Sequence, residues 1–558
     1  MRTSVSVALA GSGGAGVMTA GNMLLEAAAL AGCYGLMTRT SGPQIRGGEA
    51  AAMVRATTFP TDSQQNRFDV LAAIDWQNVA RFASEIPLGP DSLVVGDPAH
   101  GEPPEAFLKS GARYLAVPLR KIAAAIEGAW PNMVALGVLA ALIGLPLGTA
   151  EAAARKSMKK GLEPGLAALR AGFAFSLPAD FVLGEAKGGP SRWLISGNEA
   201  AGYGALRGGV RFVAAYPITP ATELLEWLAP ALARVGGTLV QAEDELASIN
   251  MALGASYGGV PALTATSGPG LSLMIESLGL GVAAEVPAVV VDVMRTGPST
   301  GIATKSEQGD LNIALYGLHG DAPHIVVAPN SVSDCIAATE WAVGLAESLQ
   351  VPAIVLSDQY FGQARAIVDP PLLADNALPR ETATEERPYR RYAVTASGVS
   401  PMAIPGKPGC TYTADGLEHN ERGTPSSQAG DHLAQMDKRA RKISQLDPGD
   451  AWASVEGDGE TAVVTFGSCT GPAREALLGR KIRLISLRLL SPAQPERLKK
   501  ALEGVKRILV VEQNHSGQFL RYLRSEYEVI RELPGDEVRS LRRPGPLPFR
   551  PEEIQEAL

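Results

Sequence analysis

Six short apolar runs spaced through residues 210–358 constrain the fold of this chain more than any other feature. They read VRFVAAYP, GTLVQAE, PALTATSG, PAVVVDVM, PHIVVAP and PAIVLSD, and each passes into a loop or a helix start. Short continuous apolar runs rich in β-branched residues are the pattern of strands buried on both faces. Such strands, alternating with helical stretches, build parallel sheets covered by helices on both sides. Residues 193–367 are therefore expected to form a doubly wound α/β domain.

The chain has 558 residues, more than one hydrophobic core usually organises, so further domains are expected. Residues 1–185 alternate strand-like runs (5–9, 70–74, 92–95) with Ala/Leu-rich helical stretches, a second α/β pattern. Between the two blocks, GEAKGGPSR at 184–192 has the chemistry of a linker. From 368 to 450 apolar content drops and only 432–446 has helical spacing, so this stretch is expected to be an extended arm. Residues 451–558 return to strand–helix alternation with ETAVVTF, KIRLISL and RILVVEQ. The expected class is multidomain α/β throughout, and aromatics at only 5% suit helices and sheets that meet through small residues.

A net charge of −8 without a sustained basic stripe argues against nucleic-acid binding, and the basic run at 438–442 is expected to be a solvated helix face. Cys33, Cys335, Cys410 and Cys469 lie far apart and form no CxxC pair, so neither an iron–sulfur cluster nor a secreted disulfide framework is expected in this chain. The longest apolar stretch, 134–147, is shorter than the ~20 residues a membrane helix needs, and no signal peptide is apparent. A cytoplasmic protein is the expectation.

Three motifs carry chemistry. Residues 241–270 read QAEDELASINMALGASYGGVPALTATSGPG: an acidic cluster opens a helix, and a strand then ends in Thr-Ser-Gly-Pro-Gly. Three acidic residues at a helix start also complement its dipole, so the cluster alone is not diagnostic. Tyr216-Pro217-Ile218-Thr219-Pro220 follows the strand VRFVAAY, with Thr219 just ahead of an amphipathic helix. Gly11-Ser-Gly-Gly-Ala-Gly16 follows the first strand, a turn that can bring Gly11, Gly13, Gly14 and Gly16 against a phosphate. No acidic residue closes a second strand about 20 residues later, which counts against a nicotinamide site.

The order YPITP, EDE helix, TSGPG, then Arg295-Thr-Gly-Pro-Ser-Thr-Gly301 and TKSEQGDL resembles the α subunits of thiamine-diphosphate-dependent 2-oxoacid:ferredoxin oxidoreductases. GSGGAG followed by SGPQIRGGEA resembles the γ subunit of the same enzymes, fused ahead of the α part, and GSCTGPAREAL with VVEQNHSGQFLRYL resembles their transketolase-like C-terminal domain. The resemblance implies a γ-type domain, a pyrimidine-binding domain for thiamine diphosphate and a transketolase C-terminal-like domain. It gives Glu245, nine residues before Gly254, the place of the acid–base group on the aminopyrimidine ring, with Glu243 as its rival.

Tyr216, Pro217, Ser267 and Gly268 would border the cofactor, and Thr219 and Arg295 would meet the substrate, the planar guanidinium suiting a carboxylate. Lys305 would offer its charge to a distal carboxylate, or is a solvated loop lysine. The N-terminal glycines and Arg46 would form a lid near coenzyme A.

The diphosphate half of a thiamine site needs Gly-Asp-Gly followed by an Asn. The one GDG here, 457–459, lacks that Asn and is expected to be a turn. No metal is therefore expected in this chain. Mg²⁺, a [4Fe-4S] cluster and the diphosphate contacts fall to a partner β subunit, in a dimer of αβ heterodimers that passes electrons to ferredoxin.

The implied reaction is oxidative decarboxylation of a 2-oxoacid with coenzyme A. 2-Oxoglutarate is the first expectation, with pyruvate and branched-chain 2-oxoacids open; a nucleotide-dependent dehydrogenase resting on 11–16 is the alternative.

Overall fold

The computed structural model describes residues 1–42, 48–185, 191–371, 378–383, 388–535 and 537–558. Two compact units divide the chain. The first comprises Met1–Ser196, Gln363–Pro371 and Arg550–Glu553; the second comprises Gly197–Gly362, Leu372–Phe549 and Ile554–Leu558.

The first unit is built on one eight-stranded sheet. In spatial order its strands are Arg113–Ala116, Leu93–Gly96, Val70–Ala73, Ser4–Gly11, Ala50–Thr57, Tyr34–Ser41, Arg365–Val368 and Trp193–Ser196. The first four are mutually parallel, and the rest join antiparallel. Helices Val17–Leu30, Pro131–Leu142, Leu147–Ser157 and Leu162–Phe173 contribute to its main core.

Small residues permit the tightest crossing. A Cβ on Gly137 would lie 2.0 Å from the Leu169 carbonyl oxygen, and one on Gly172 would lie 2.1 Å from that of Val134. The apolar stretch at 134–147 thus falls largely in a buried helix of this core. Strands Trp193–Ser196 and Arg365–Val368, from the two ends of the 193–367 block, pair with each other and extend this sheet rather than the next one.

The second unit holds two sheets. All six apolar runs form parallel strands, ordered Ile325–Val327, Ala353–Asp358, Val289–Met294, Ala262–Thr266, Phe212–Ala215 and Thr238–Gln241. A seventh strand, Leu489–Ser491, comes from the C-terminal region and pairs antiparallel with Ile325–Val327. The five-stranded sheet runs Ala453–Glu456, Arg483–Leu487, Thr461–Phe466, Arg507–Glu512 and Val538–Arg542, antiparallel only at its first strand. Gly457 and Gly459, at φ +70° and +146°, make the turn between Ala453–Glu456 and Thr461–Phe466.

The arm contains the helix Ala429–Ser444, and here one expectation is overturned. The basic run is not a solvated face: Lys438, Arg439 and Lys442 are buried. Lys438 and Lys442 each bond one oxygen of the fully buried Glu285 carboxylate, the latter at 2.9 Å, while Arg391 donates to the Glu285 carbonyl at 2.7 Å. A buried carboxylate on another element turned the charged helix face inward.

Candidate active site

Glu245 opens the helix Glu245–Tyr257 and is 7% exposed, whereas Glu243 is exposed and Asp244 caps the helix by accepting from the Ala247 amide at 2.7 Å. The three acidic residues therefore have different surroundings: one in solvent, one at the cap, one turned inward. Gly254 sits on the open side of the same helix, with nothing near its Cβ position.

What Glu245 faces is the turn after strand Ala262–Thr266. Ser267 precedes the helix Gly268–Ala283, and a Cβ on Gly270 would lie 2.0 Å from Thr266 Oγ1 and 2.7 Å from Glu245 Oε1. Only a glycine leaves room there for both side chains. The same turn meets Asp310, whose Oδ1 would lie 2.4 Å from a Cβ on Gly268.

Arg295 follows strand Val289–Met294, is 7% exposed and donates to the Thr219 carbonyl oxygen at 2.6 Å. The YPITP turn is held from its other side by Asn198, which donates to the Pro220 carbonyl oxygen at 2.9 Å. Tyr216 and the Thr219 side chain are exposed, Pro217 is half-buried, and Ser267 is buried with a hydroxyl that has no partner among the described residues. Lys305 is half-buried, and its carbonyl oxygen accepts from the Thr296 amide at 2.9 Å.

Two acidic groups escaped the sequence reading. Asp292 is fully buried on its strand, and both its oxygens lack a partner among the described residues. Burial first, then the charge of Asp310, pushes its carboxyl well above the usual range. Asp310 is itself pushed up to about 7 by burial and by Glu307, with Arg295 opposing. A carboxyl group of this kind beside a guanidinium is a mark of functional sites. The signal available was the SEQGDL motif, but its contact with Gly268 is made only in the folded chain.

In the first unit the glycine turn is partly occupied by its own protein. Asp75 accepts from the Ser12 amide at 3.0 and 3.1 Å and from its hydroxyl at 2.7 Å. Asn132 packs on Gly16, which has φ +81°, while Gly14 has nothing near its Cβ position and Gly13 is exposed. Strand Ser4–Gly11 is flanked by an antiparallel neighbour on one side, so strand Tyr34–Ser41 after its helix is not its parallel partner. A dinucleotide fold needs that pairing. Arg46 lies outside the described residues.

A buried glutamate at a helix start, facing a glycine turn at the carboxyl end of a parallel sheet, defines a pyrimidine-binding domain of the thiamine-diphosphate type. The family comparisons are more specific. Residues 203–438 match the family model described as pyruvate flavodoxin/ferredoxin oxidoreductase, thiamine diphosphate-binding, and residues 6–175 match that of pyruvate ferredoxin/flavodoxin oxidoreductase. The chain belongs to the 2-oxoacid:ferredoxin oxidoreductases, as an α-type chain with an N-terminal γ-like domain.

It is 30% identical to 2-oxoacid:ferredoxin oxidoreductase 2, subunit alpha, of Aeropyrum pernix, over 94% of this chain and 93% of that one. It is 34% identical to 2-oxoacid:ferredoxin oxidoreductase 1, subunit alpha, of Sulfurisphaera tokodaii, over 66% of this chain but only 61% of that one, so the match spans about three fifths of that relative. Among solved structures it is similar to 2-oxoglutarate:ferredoxin oxidoreductase from Magnetococcus marinus with 2-oxoglutarate, coenzyme A and succinyl-CoA bound. That match has 34% identity and a TM-score of 0.91, and covers 100% of this chain and 99% of that one. Among the described residues, no helix is long and apolar enough to cross a membrane.

Proposed function

We propose that this chain is the α subunit of a 2-oxoglutarate:ferredoxin oxidoreductase, carrying out coenzyme A-dependent oxidative decarboxylation with a partner β subunit. The observation that carries the reading is the buried Glu245 against Gly270, next to a turn that also meets Asp310. The residues fit the pyrimidine end of thiamine diphosphate: a buried carboxylate for a ring nitrogen, beside a turn whose Gly268 and Gly270 leave room for Asp310, Thr266 and Glu245 to pack against it. When bound, the cofactor supplies the nucleophilic carbon that makes loss of carbon dioxide from a 2-oxoacid accessible.

This chain's own residues then act as follows. Glu245 holds and returns a proton at the ring nitrogen. Arg295, oriented by the Thr219 carbonyl, binds the substrate carboxylate through its remaining guanidinium N–H groups. Tyr216, Pro217, Ser267 and Gly268 border the cofactor, the Thr219 hydroxyl meets the substrate, and Lys305 is the cation for a distal carboxylate. The division into a γ-type domain (1–185), a pyrimidine-binding domain (193–367), an arm (368–450) and a C-terminal domain (451–558) is part of the proposal.

Mg²⁺, the diphosphate contacts and a [4Fe-4S] cluster are assigned to the β subunit, in a dimer of αβ heterodimers, because the GDG at 457–459 has no following Asn. Ferredoxin takes the electrons. Coenzyme A takes the acyl group, supported by the likeness to the Magnetococcus marinus protein. The open tip at Gly13 and Gly14, with Gly11, Gly16 and Arg46, is the part of the first domain proposed to approach it. Four cysteines far apart in sequence, with no CxxC pair, support a reducing, cytoplasmic setting.

Two experiments test this on the complex produced with its β subunit. With 2-oxoglutarate, pyruvate and 2-oxoisovalerate compared, kcat/KM is expected to be highest for 2-oxoglutarate, and Arg295→Ala to raise KM on the order of 10- to 100-fold. An unchanged KM removes Arg295 from the substrate, and a preference for pyruvate removes the substrate assignment. Gly270→Ala pushes a methyl group into Thr266 and Glu245. Thiamine diphosphate titration of that variant is expected to show affinity weakened on the order of tenfold or more. Wild-type affinity would place the pyrimidine elsewhere.

A further inference from the structure

Gln308 is buried in the loop that returns from Arg295, and its side chain enters the carboxyl edge of the five-stranded sheet. Its Nε2 donates to the Phe466 carbonyl oxygen at 2.9 Å, and its Oε1 accepts from the Gln513 amide at 2.9 Å and from the Cys469 thiol at 3.4 Å. Its own amide donates to the Gln513 carbonyl oxygen at 2.8 Å. Phe466 ends one strand and Gln513 follows its parallel neighbour, so one amide side chain bridges two adjacent strand ends. Gly467, at φ +63°, leaves the space: a Cβ there would lie 2.7 Å from Gln308 Nε2. The carboxyl edge of a parallel sheet is where α/β domains ordinarily take a ligand. Here it takes a residue of the neighbouring domain.

The rest of the loop is held from the same side. Gln513 Nε2 donates to the Ser306 and Leu547 carbonyl oxygens at 3.4 and 3.0 Å. Gln518 donates to the Gly309 carbonyl oxygen at 2.8 Å and accepts from the Asn312 amide at 2.9 Å. The Gly545 amide donates to Glu307 at 3.3 Å. On the site side, Thr296, adjacent to Arg295, donates from its amide to the Lys305 carbonyl oxygen at 2.9 Å, and from its hydroxyl to the Lys305 and Ser306 carbonyl oxygens at 3.2 and 3.4 Å.

We infer that Gln308 is a positioning residue for 2-oxoacid recognition: the C-terminal domain uses its ligand edge to grip the 306–312 segment and thereby sets Arg295 and Asp310. This rests on the substrate role proposed for Arg295. The grip acts first on the substrate side: the segment reaches the TSGPG turn through Asp310 at Gly268, while the Glu245–Gly270 contact itself involves no residue of the loop.

The test is Gln308→Leu in the full complex, beside Arg295→Ala. Gln308→Leu is expected to lower kcat/KM on the order of 10- to 100-fold, mainly through KM. The exchange rate of the thiamine C2 proton without substrate, and the cofactor content, are expected to change far less than KM, because the segment meets the cofactor-side turn only at Gly268. Gln518→Ala, which loosens the same segment from a half-buried position, is expected to raise KM about threefold and serves if Gln308→Leu does not fold. If Arg295→Ala raises KM while both glutamine variants leave it unchanged, the positioning role is wrong and the Arg295 assignment stands. If no variant moves KM, the Arg295 assignment itself fails. If C2 exchange and cofactor content fall together with melting temperature, Gln308 only holds the domains together, and the inference is overturned.

Discussion

Glu245→Gln in the reconstituted complex is expected to lower kcat on the order of 10²–10⁴-fold while the protein remains folded. Glutamine keeps the size of the side chain that packs beside Thr266 and Gly270, so the turn keeps its shape. What it loses is the ability to hold and return a proton at the ring nitrogen. The exchange rate of the thiamine C2 proton should fall with kcat, and the melting temperature should stay close to wild type. Activity near wild type would sink the assignment and return attention to Glu243, which the structure leaves in solvent.

The second large effect concerns stability. Glu285→Leu is expected to destabilise the chain by about 3–5 kcal/mol, because it leaves the Lys438 and Lys442 ammonium groups buried without their carboxylate. Denaturant unfolding of the chain checks this. The triple variant Glu285→Leu, Lys438→Met, Lys442→Met is expected to recover most of the loss, since an apolar replacement removes the desolvation cost with the charges. Failure of the triple variant to recover would mean that the arm is held by something other than this cluster.

The pH dependence has a definite sign. Burial alone would raise the Glu285 carboxyl, but Lys442, Lys438 and Arg391 outweigh it and hold it far below the ordinary range. Its contribution is therefore complete above the ordinary glutamate range and is lost as pH falls below it. Burial pushes Lys438 down to about 8 against the pull of Glu285. The cost of burying that charge is thus paid below about pH 8 and relieved as pH rises toward the ordinary lysine range. Wild type should lose more stability than the triple variant on acidification, and the opposite order would exclude this account.

Much of the fold and of the candidate site was legible because its parts are local. The six strand runs declared themselves, since a strand buried on both faces has to be apolar throughout whatever surrounds it. Glu245 and the TSGPG turn are close in sequence, and the turn's glycines report a close approach wherever it occurs. Phe466, Gln513 and Gln308 gave no such signal, because a glutamine bridging two strand ends is indistinguishable in sequence from one in solvent.

The glycine turn at 11–16 was ambiguous for the same reason. Its phosphate-cradle pattern is real, yet Asp75, more than 60 residues away, accepts from the Ser12 amide. Strands Trp193–Ser196, at the edge of the first sheet, and Arg365–Val368, beside it, were missed because a strand of four residues needs only a partner, not a periodicity.

The sequence by itself determined the class of fold and the family, both of which depend on residue type at short range. The tertiary structure alone decided which of three acidic residues turns inward, and that Lys438 and Lys442 are core rather than surface. It also brought Asp310 against the TSGPG turn. In each case the deciding partner lies on another element, and charge or hydrogen-bonding capacity does not reveal where in the fold it will be satisfied.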